Sequence, residues 1–297
     1  MADIIDGKAF AAKIRAEVKE DSDKLISQKQ VDPCLAVVLV GENPASKVYV
    51  GQKTKMAAEC NIKTKDYKLD ASTDQETLLK LIDDLNNDES VHGILVQLPL
   101  PKQIDERKVI DAIVVEKDVD GFHAINAGRL SIGGDMLKKA FIPCTPLGSL
   151  LLLKDQIEDL KGKSVVVIGR SNIVGKPMSQ LLIEESCTVT VVHSKTKEIE
   201  KVCSQADIIV AAIGRAEMID SKWLKDGAVV IDVGINRIAI TKEDGSEGSK
   251  IVGDVDFESA STKASKITPV PGGVGPMTIA CLLRNTVTSV SYTHLTL

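Results

Sequence analysis

Aromatic residues are scarce in this sequence, which has one tryptophan, three tyrosines and four phenylalanines among 297 residues. Aromatics make up 3% of the chain and hydrophobic residues 43%, so its core must be built from aliphatic side chains. Strands rich in valine, isoleucine and leucine and buried on both faces are typical of parallel sheets. The composition therefore favours an α/β fold.

The chain also lacks an excess of basic residues and any paired cysteine motif. Its 37 Lys and Arg against 42 Asp and Glu give a net charge of −5, which argues against nucleic acid as a partner. Without a C-x-x-C pair or a histidine-rich companion, the cysteines predict no metal site and reduced cytosolic thiols. The six cysteines are Cys34, Cys60, Cys144, Cys187, Cys203 and Cys281.

Long apolar runs are missing as well. No stretch approaches the roughly 18 residues that a membrane-spanning helix needs. The N-terminal MADIIDGKAFAAKIRAE carries charges throughout, where a signal peptide would have an apolar core. We therefore expect no membrane partner and a cytoplasmic location.

Apolar runs and amphipathic stretches alternate along the chain, which predicts parallel βαβ units that bind ligands at the carboxyl ends of the strands. The length suggests about two domains. In the first half the predicted strands are 34–41, 62–69 and 91–101, and the predicted helices are 8–27, 43–60, 73–87 and 104–114. Residues 118–135, rich in Gly, Asp and Asn, are expected to form a long functional loop.

The second half predicts a Rossmann-type series. Its strands are 165–169, 188–193, 207–214 and 228–235, and its helices are 146–155, 176–185, 197–204 and one from residue 277. Residues 241–250 are expected to be a polar hairpin or loop.

The stretch VVVIGRSNIVGKP, residues 165–177, has the strand–turn–helix context of a phosphate-binding turn. Gly169 and Gly175 are present, but the middle glycine of G-x-G-x-x-G is missing, and Arg170 and Ser171 fill the space between the two. Gly214 and Gly234 end later strands at the same predicted edge, where a cofactor would approach closely. An ordinary α/β crossover with surface charges, and plain turn glycines, are the alternatives.

The end of the following strand decides which nucleotide is expected. NAD-binding units usually place an acid there for the ribose hydroxyls, but this chain has His193, Ser194 and Lys195. Arg170 offers a guanidinium and Ser194 a hydroxyl to a 2′-phosphate. The pattern therefore favours NADP over NAD as the cofactor.

Candidate catalytic residues lie earlier in the chain. Ser46, Tyr49 and Lys53 are spaced to share one helix face, although spacing alone favours a surface lysine in a salt bridge. Gln97 stands at the carboxyl end of a predicted strand, where it could face a ligand or satisfy a loop.

Two loops are also candidate binding segments. In KDVDG, residues 117–121, a carboxylate could pair with an amidine-like group or form an Asx-turn. In PVPGGVGP the glycines at 272, 273 and 275 allow close approach of a ligand or another backbone, and a rigid hinge is the alternative.

The segments that resemble a known family occur in a fixed order from about Asp3 to Val290. They are YVGQK, VQLPLP, EKDVDGFHAINAGRL, FIPCTPLG, VVIGRSNIVGKPM, VTVVHSKT, DVGIN, VGDVDF and TPVPGGVGPMT. Together they closely resemble the bifunctional methylenetetrahydrofolate dehydrogenase/methenyltetrahydrofolate cyclohydrolase family.

The resemblance implies a two-domain α/β homodimer that acts on tetrahydrofolate substrates with NADP, with the folate in a cleft between the domains. The expected domains are a catalytic, folate-binding domain at 1–143, completed by a C-terminal helix at 276–297, and a Rossmann-type domain with a mostly parallel sheet at 144–275.

The resemblance also implies roles for single residues. Lys53 matches the catalytic lysine, Tyr49 its stacking partner and Gln97 the glutamine that tunes it. Expected substrate contacts are Asp120, which would hold the pterin, with Ser46, Pro271, Gly272 and Gly273. Expected cofactor contacts are Gly169, Arg170, Ser171, Ser194, Gly214 and Ile235.

The tail SVSYTHLTL, residues 289–297, departs from the family because its β-branched and hydroxyl residues are poor helix formers. Two other functions compete with the family's. One is an NADP-dependent reductase of the shikimate dehydrogenase type, and the other is a non-catalytic nucleotide-binding regulator.

Overall fold

The structure, a computed structural model, describes residues 1–241 and 246–293. By contacts the chain divides into two units. The three-stranded unit comprises Ala12–Cys144 and residues 279–293, and the six-stranded unit comprises Met1–Ala11 and Thr145–Thr278. The sequence-based domain bounds stay a prediction, because contacts alone do not define domains that fold independently.

The described strands and helices are numbered in chain order. The strands are β1 (Asp3–Ile4), β2 (Cys34–Val40), β3 (Lys63–Leu69), β4 (Gly93–Val96), β5 (Ser164–Ile168), β6 (Thr188–Val192), β7 (Ile208–Ala211), β8 (Val229–Asp232), β9 (Asn236–Thr241), β10 (Glu247–Val252) and β11 (Lys266–Ile267). The helices are α1 (Gly7–Lys24), α2 (Pro44–Glu59), α3 (Gln75–Asn87), α4 (Glu106–Ala112), α5 (Ala124–Ile132), α6 (Gly134–Leu137), α7 (Cys144–Gln156), α8 (Gly175–Glu184), α9 (Ile199–Cys203), α10 (Phe257–Ala260) and α11 (Val274–Thr293).

The sheet of the three-stranded unit has the parallel order β3-β2-β4. Every residue of β2 is buried, as its continuous apolar run predicts for a central strand. Helix α3 packs Leu78, Ile82 and Leu85 into the core beside this sheet. Its N-cap is Asp74, whose carboxylate accepts from the Thr77 N–H at 2.7 Å.

The sheet of the six-stranded unit has the order β1-β11-β8-β7-β5-β6, and all its pairings are parallel. The inner strands β7 and β8 are wholly buried, whereas the edge strand β6 is partly exposed. This confirms the mostly parallel, Rossmann-type sheet that the sequence predicts. Strands β9 and β10 form a separate antiparallel pair. Of the predicted hairpin or loop at 241–250, residues 242–245 lie outside the described residues.

The prediction of a long loop at 118–135 is wrong, because α5 lies within it and α6 begins at its end. His123 caps α5 by accepting from the Ile125 N–H at 3.1 Å, and Gly133 with φ of +73° ends it. Buried Asn126 and Leu130, one turn apart, form its inner face. Glycine and asparagine inside the helix conceal this short apolar pattern in the sequence.

The expectation of a poorly helical tail is also wrong as far as Thr293, where α11 ends. The hydroxyl groups there bond back to helix carbonyls: Ser289 Oγ donates to Thr286 O at 2.7 Å and Thr293 Oγ1 to Ser289 O at 3.0 Å. Residues 294–297 of the tail lie outside the described residues. None of the described helices is long and apolar enough to cross a bilayer.

Candidate active site

A buried lysine–glutamine pair lies in the three-stranded unit. Lys53 on α2 is 4% exposed, and its Nζ donates to Gln97 Oε1 at 3.0 Å. Gln97 directly follows β4, and its Nε2 donates to Leu98 O at 2.7 Å. The surface salt bridge favoured by spacing alone is therefore wrong for Lys53. Gln97 both satisfies its loop and contacts the lysine.

Tyr49 and Ser46 extend this arrangement along α2. The Lys53 ammonium lies 4.9 Å from the centroid of the Tyr49 ring, within the range of a cation–π contact. Ser46 is 6% exposed, although serine is usually a surface residue. The face predicted from the spacing is thus the face that turns inward near Gln97.

Burial shifts the titration of the groups around Lys53. It lowers the pKa of Lys53 below the ordinary 10.5, while the nearby carboxylate of Asp120 and Cys144 act in the opposite direction. Burial also raises the pKa of Asp120 above 3.8, and Lys53 and a hydrogen bond with Cys144 lower it in part. Burial thus disfavours the charged form of both groups.

Asp118 holds the loop that carries Asp120. Its carboxylate accepts from the Phe122 N–H at 3.2 Å, the His123 N–H at 2.8 Å and Asn126 Nδ2 at 2.8 Å. Asp118 thus binds N–H groups four and five residues on, which is not the two-residue Asx-turn expected as one interpretation of KDVDG. Asp120 lies near Lys53. Burial raises the pKa of Asp118 to about 7.

Asn285 on α11 secures the same loop from another element. Its Nδ2 donates to Val119 O at 2.8 Å and to Ile142 O at 3.2 Å, and it lies 3.7 Å from Cys144 Sγ. Sequence reasoning missed the roles of Asp118, Cys144 and Asn285. Asp118 had a local signal in the repeated aspartates of DVD, whereas Cys144 and Asn285 meet the site only through the tertiary fold.

The glycine turn after β5 lies in the six-stranded unit, and its two glycines, Gly169 and Gly175, have no space for a side chain. Gly169 has φ of +120°, and a Cβ there would lie 2.2 Å from Ala212 O. A Cβ at Gly175 would lie 2.3 Å from Gly169 O, so the start of α8 packs directly on the turn. This is the close strand–turn–helix geometry that a dinucleotide-binding turn requires.

Polar side chains flank this turn at the ends of paired strands. Ile168 and Val192 are register partners, and Arg170 and Ser194, both exposed, each stand two residues further on. Ser171 Oγ accepts from the N–H groups of Val174 at 3.1 Å and Gly175 at 3.3 Å, so it helps to start α8. Arg170 and Ser194 therefore lie at the same edge.

Gly214 and Ile235 lie beyond the ends of the neighbouring strands β7 and β8. Gly214 has φ of +67°, and its N–H donates to the Asp254 carboxylate at 3.0 Å. Ile235 is 59% exposed, which is unusual for isoleucine.

The turn Pro271–Gly272–Gly273 lies against the start of α1 in the six-stranded unit. The Lys8 N–H donates to Gly272 O at 2.9 Å, and a Cβ at Gly7 would lie 1.9 Å from Gly273 O. Close approach of the turn therefore accounts for glycine at 7, whereas a Cβ at Gly273 would lie 2.6 Å from Pro269 O. Contact of the turn with a substrate stays a prediction. Within residues 1–241 and 246–293, no cluster of three His, Cys, Asp or Glu could hold a metal ion.

A buried lysine beside a carboxylate in one unit, and a dinucleotide-type turn in the other, define the class as a nucleotide-dependent α/β enzyme. The family model of the tetrahydrofolate dehydrogenase/cyclohydrolase catalytic domain matches residues 5–120, and that of its NAD(P)-binding domain matches residues 143–294. The chain belongs to the tetrahydrofolate dehydrogenase/cyclohydrolase family.

Individual relatives agree over nearly the whole chain. The bifunctional protein FolD of Paramagnetospirillum magneticum is 58% identical over 293 residues, which is 99% of this chain and 97% of the relative. A FolD crystal structure from Campylobacter jejuni is 52% identical with a TM-score of 0.91, covering 98% of this chain and 99% of that one. The Trypanosoma brucei dehydrogenase–cyclohydrolase, solved with NADP and an inhibitor, is 38% identical with a TM-score of 0.90 and 98% of each chain covered. This membership decides against the shikimate dehydrogenase type and against a non-catalytic regulator.

Proposed function

We propose that this chain oxidises 5,10-methylenetetrahydrofolate to 5,10-methenyltetrahydrofolate with NADP and hydrolyses the product to 10-formyltetrahydrofolate. The observation that carries the proposal is the buried Lys53–Gln97 pair beside Asp120, in a chain of this family. Relatives named as bifunctional, more than 55% identical over nearly the full length, support both activities.

Lys53 serves as the proton carrier of the hydrolysis. A water oxygen bonds to the methenyl carbon and loses a proton, and the bond from that carbon to N5 then breaks as N5 is protonated. The formyl group stays on N10. An ordinary lysine is a poor base near neutrality, but burial favours the neutral amine, which can take the proton from water and return one to N5.

Gln97 and Tyr49 keep Lys53 in position without adding a charge. The amide oxygen of Gln97 accepts from the lysine at 3.0 Å, and a neutral acceptor stabilises the ammonium less than a carboxylate would. The Tyr49 ring, 4.9 Å from Nζ, restricts the side chain on one side and offers a flat surface to a planar substrate.

Asp120 orients the substrate. The pterin presents two adjacent N–H donors, and a carboxylate can accept both in a fork. The bonds made by Asp118 and Asn285 hold the backbone beside Asp120, which fixes the direction of that fork. We assign Ser46, Pro271, Gly272 and Gly273 to the substrate on the family resemblance.

The residues present fit a dinucleotide phosphate. The turn at Gly169 and Gly175 is a cradle that a Cβ would fill, and Arg170 and Ser194 supply a cation and a hydroxyl at the same edge. NADP, when bound, accepts the hydride from the one-carbon bridge of the folate. Ser171, Gly214 and Ile235 complete the proposed contacts. A homodimer and a cytoplasmic location are further proposals that rest on the resemblance and on the composition.

The experiment that tests this function replaces the lysine. Lys53→Met should lower the hydrolysis rate of 5,10-methenyltetrahydrofolate by at least a hundredfold, because general acid–base catalysis typically contributes roughly 10²–10⁴-fold. Hydrolysis is followed by the loss of methenyl absorbance. The matched control is Lys55→Met, an exposed lysine on the same helix, which should stay within twofold of the unmodified chain. Full hydrolase activity in Lys53→Met would refute the assignment.

A further inference from the structure

Two buried aspartates in the six-stranded unit have no part in the steps above. Asp232 is the last residue of β8 and is 3% exposed, and Asp254 follows β10 and is 0% exposed. Aspartate is almost never fully buried unless it is paired, so both need an explanation. They stand in the motifs DVGIN and VGDVDF, residues 232–236 and 252–257.

The Asp254 carboxylate binds three successive backbone N–H groups in the turn after β7. Oδ2 accepts from Ile213 at 2.6 Å and from Gly214 at 3.0 Å, and Oδ1 accepts from Arg215 at 2.9 Å. Hydrogen bonds to an ionised acceptor are about twice as strong as neutral ones. This carboxylate therefore fixes the conformation of the turn that carries Gly214.

Asp232 holds Asp254 in turn. Its Oδ1 accepts from the N–H groups of Asp254 and Gly234, both at 2.9 Å, and its Oδ2 accepts from Val255 at 3.0 Å. The two carboxylates act in series, so the segments after β7, β8 and β10 are fixed to one another.

The glycines of the two motifs make space for these carboxylates. A Cβ at Gly234 would lie 2.3 Å from Asp254 Oδ1, and a Cβ at Gly253 would lie 1.7 Å from Asp232 Oδ2. The glycines are thus required by the aspartates, without any contact to a ligand.

The strand order shows which part of a dinucleotide these turns would meet. Strand β5 lies between β6 on one side and β7 and β8 on the other. A dinucleotide lies across the strand ends with its pyrophosphate at the glycine turn. With the 2′-phosphate at Arg170 and Ser194, beyond β5 and β6, the nicotinamide end extends over the turns after β7 and β8.

We propose that Asp232 and Asp254 are positioning residues that shape the binding surface for the nicotinamide end of the dinucleotide. They act through the backbone of residues 213–215 and 234–235 and do not themselves touch the cofactor. The proposal rests on the proposed NADP-dependent function and adds a prediction of its own. Loss of Asp254 should weaken NADP and NAD by the same factor, because both dinucleotides share the nicotinamide end.

The test measures the dissociation constants of NADP and NAD by titration calorimetry in Asp254→Asn. We expect both constants to rise at least tenfold and by equal factors, because asparagine has one acceptor oxygen for the donors that two oxygens now bind. The rate of methenyltetrahydrofolate hydrolysis, measured without a dinucleotide, should stay within twofold. A merely destabilised chain would instead lose all activities in proportion to its unfolded fraction.

The matched control is Asp256→Asn, two residues further on. Asp256 also accepts a backbone bond, from the Ser259 N–H at 3.0 Å, and this bond caps α10. Its dissociation constants should stay within twofold of the unmodified chain.

A folded Asp254→Asn chain that keeps both dissociation constants within twofold would overturn the proposal. A loss of affinity confined to NADP would also overturn it, because it would place the effect at the 2′-phosphate.

If Asp254→Asn does not fold, the same dissociation constants are measured in Asn236→Ala, since Asn236 Nδ2 donates to Asp254 Oδ1 at 2.9 Å. Its constants should both rise about threefold, and no change would again overturn the proposal. Failure of the unmodified chain to bind NADP would instead refute the proposed function.

Discussion

At the scale of single residues, the choice between NADP and NAD is expected to depend most on Arg170. It directly follows Gly169 in the dinucleotide turn, and it shares an edge with Ser194 instead of with an acid. A guanidinium there can pair with a 2′-phosphate, whereas a carboxylate would repel it.

Replacing Arg170 with alanine should therefore weaken NADP selectively. Hydrogen bonds to charged groups contribute about 1.5–3 kcal/mol, which corresponds to roughly tenfold to a hundredfold in affinity. We expect the KM for NADP in the dehydrogenase assay to rise by that factor, while the KM for NAD stays within twofold.

Lys161→Ala is the control for this measurement, since Lys161 is an exposed cation before the opposite end of β5. It should change neither KM by more than twofold. If Arg170→Ala raised the KM for NADP and for NAD by equal factors, Arg170 would not recognise the 2′-phosphate and residues 165–177 would form an ordinary turn.

The residues proposed for the site on α2 show what local spacing can and cannot predict. The i, i+3, i+7 spacing of Ser46, Tyr49 and Lys53 correctly predicts one helix face, because helix geometry is local. Whether that face is buried depends on Gln97, 44 positions from Lys53, and no local pattern carries that information. The family resemblance supplied what spacing could not.

At the scale of elements, the segment from Lys117 to α5 both caps a helix and carries a carboxyl group with a shifted pKa. Lys117 Nζ donates to the carbonyls of Leu85 at 3.0 Å and Asn86 at 2.7 Å, and so caps the end of α3. The adjacent Asp118 is 1% exposed, and burial raises its pKa to about 7, opposed by its N–H donors.

This shift predicts a pH dependence of stability. The pKa of Asp118 rises from 3.8 in the unfolded chain to about 7 when folded, so its contribution is fully present below pH 4 and is lost as pH rises through 7. The asparagine side chain in Asp118→Asn neither binds nor releases a proton in this pH range, so the variant lacks this contribution. The difference in unfolding free energy, unmodified chain minus variant, should therefore fall by about 2 kcal/mol between pH 5 and pH 8.

Urea unfolding followed by circular dichroism at the two pH values measures this difference. The same measurement on Asp111→Asn, whose carboxylate pKa is lowered and whose side chain is more exposed, provides a control that should not show this fall. A difference that is constant or rises with pH would contradict the buried, proton-binding state of Asp118.

The elements also differ in how well the sequence predicts them. Strands β2 and β7 are wholly apolar, and β5 and β8 are apolar apart from Ser164 and Asp232 at their ends. Because these strands are buried, the apolar runs alone locate them in the sequence. The two-residue strands β1 and β11 pair with each other across more than 250 positions, and nothing local marks them. Helix α5 was missed because tertiary contacts of Asn126 override its weak helix propensity.

At the scale of the whole molecule, the two activities have separate structural bases. The buried pair of Lys53 and Gln97 belongs to the three-stranded unit, and the glycine turn at Gly169 and Gly175 belongs to the six-stranded unit. The chain crosses between the units more than once, since Met1–Ala11 belongs to the six-stranded unit and residues 279–293 to the three-stranded one.

The most direct measurement is a coupled assay of the purified chain with 5,10-methylenetetrahydrofolate and NADP, repeated with NAD. Reduced nicotinamide is followed by absorbance and 10-formyltetrahydrofolate by chromatography. We predict that the two products form in equal amounts with NADP and at least tenfold more slowly with NAD. Absence of nicotinamide reduction, or 10-formyltetrahydrofolate forming no faster than its precursor hydrolyses without the protein, would contradict the account.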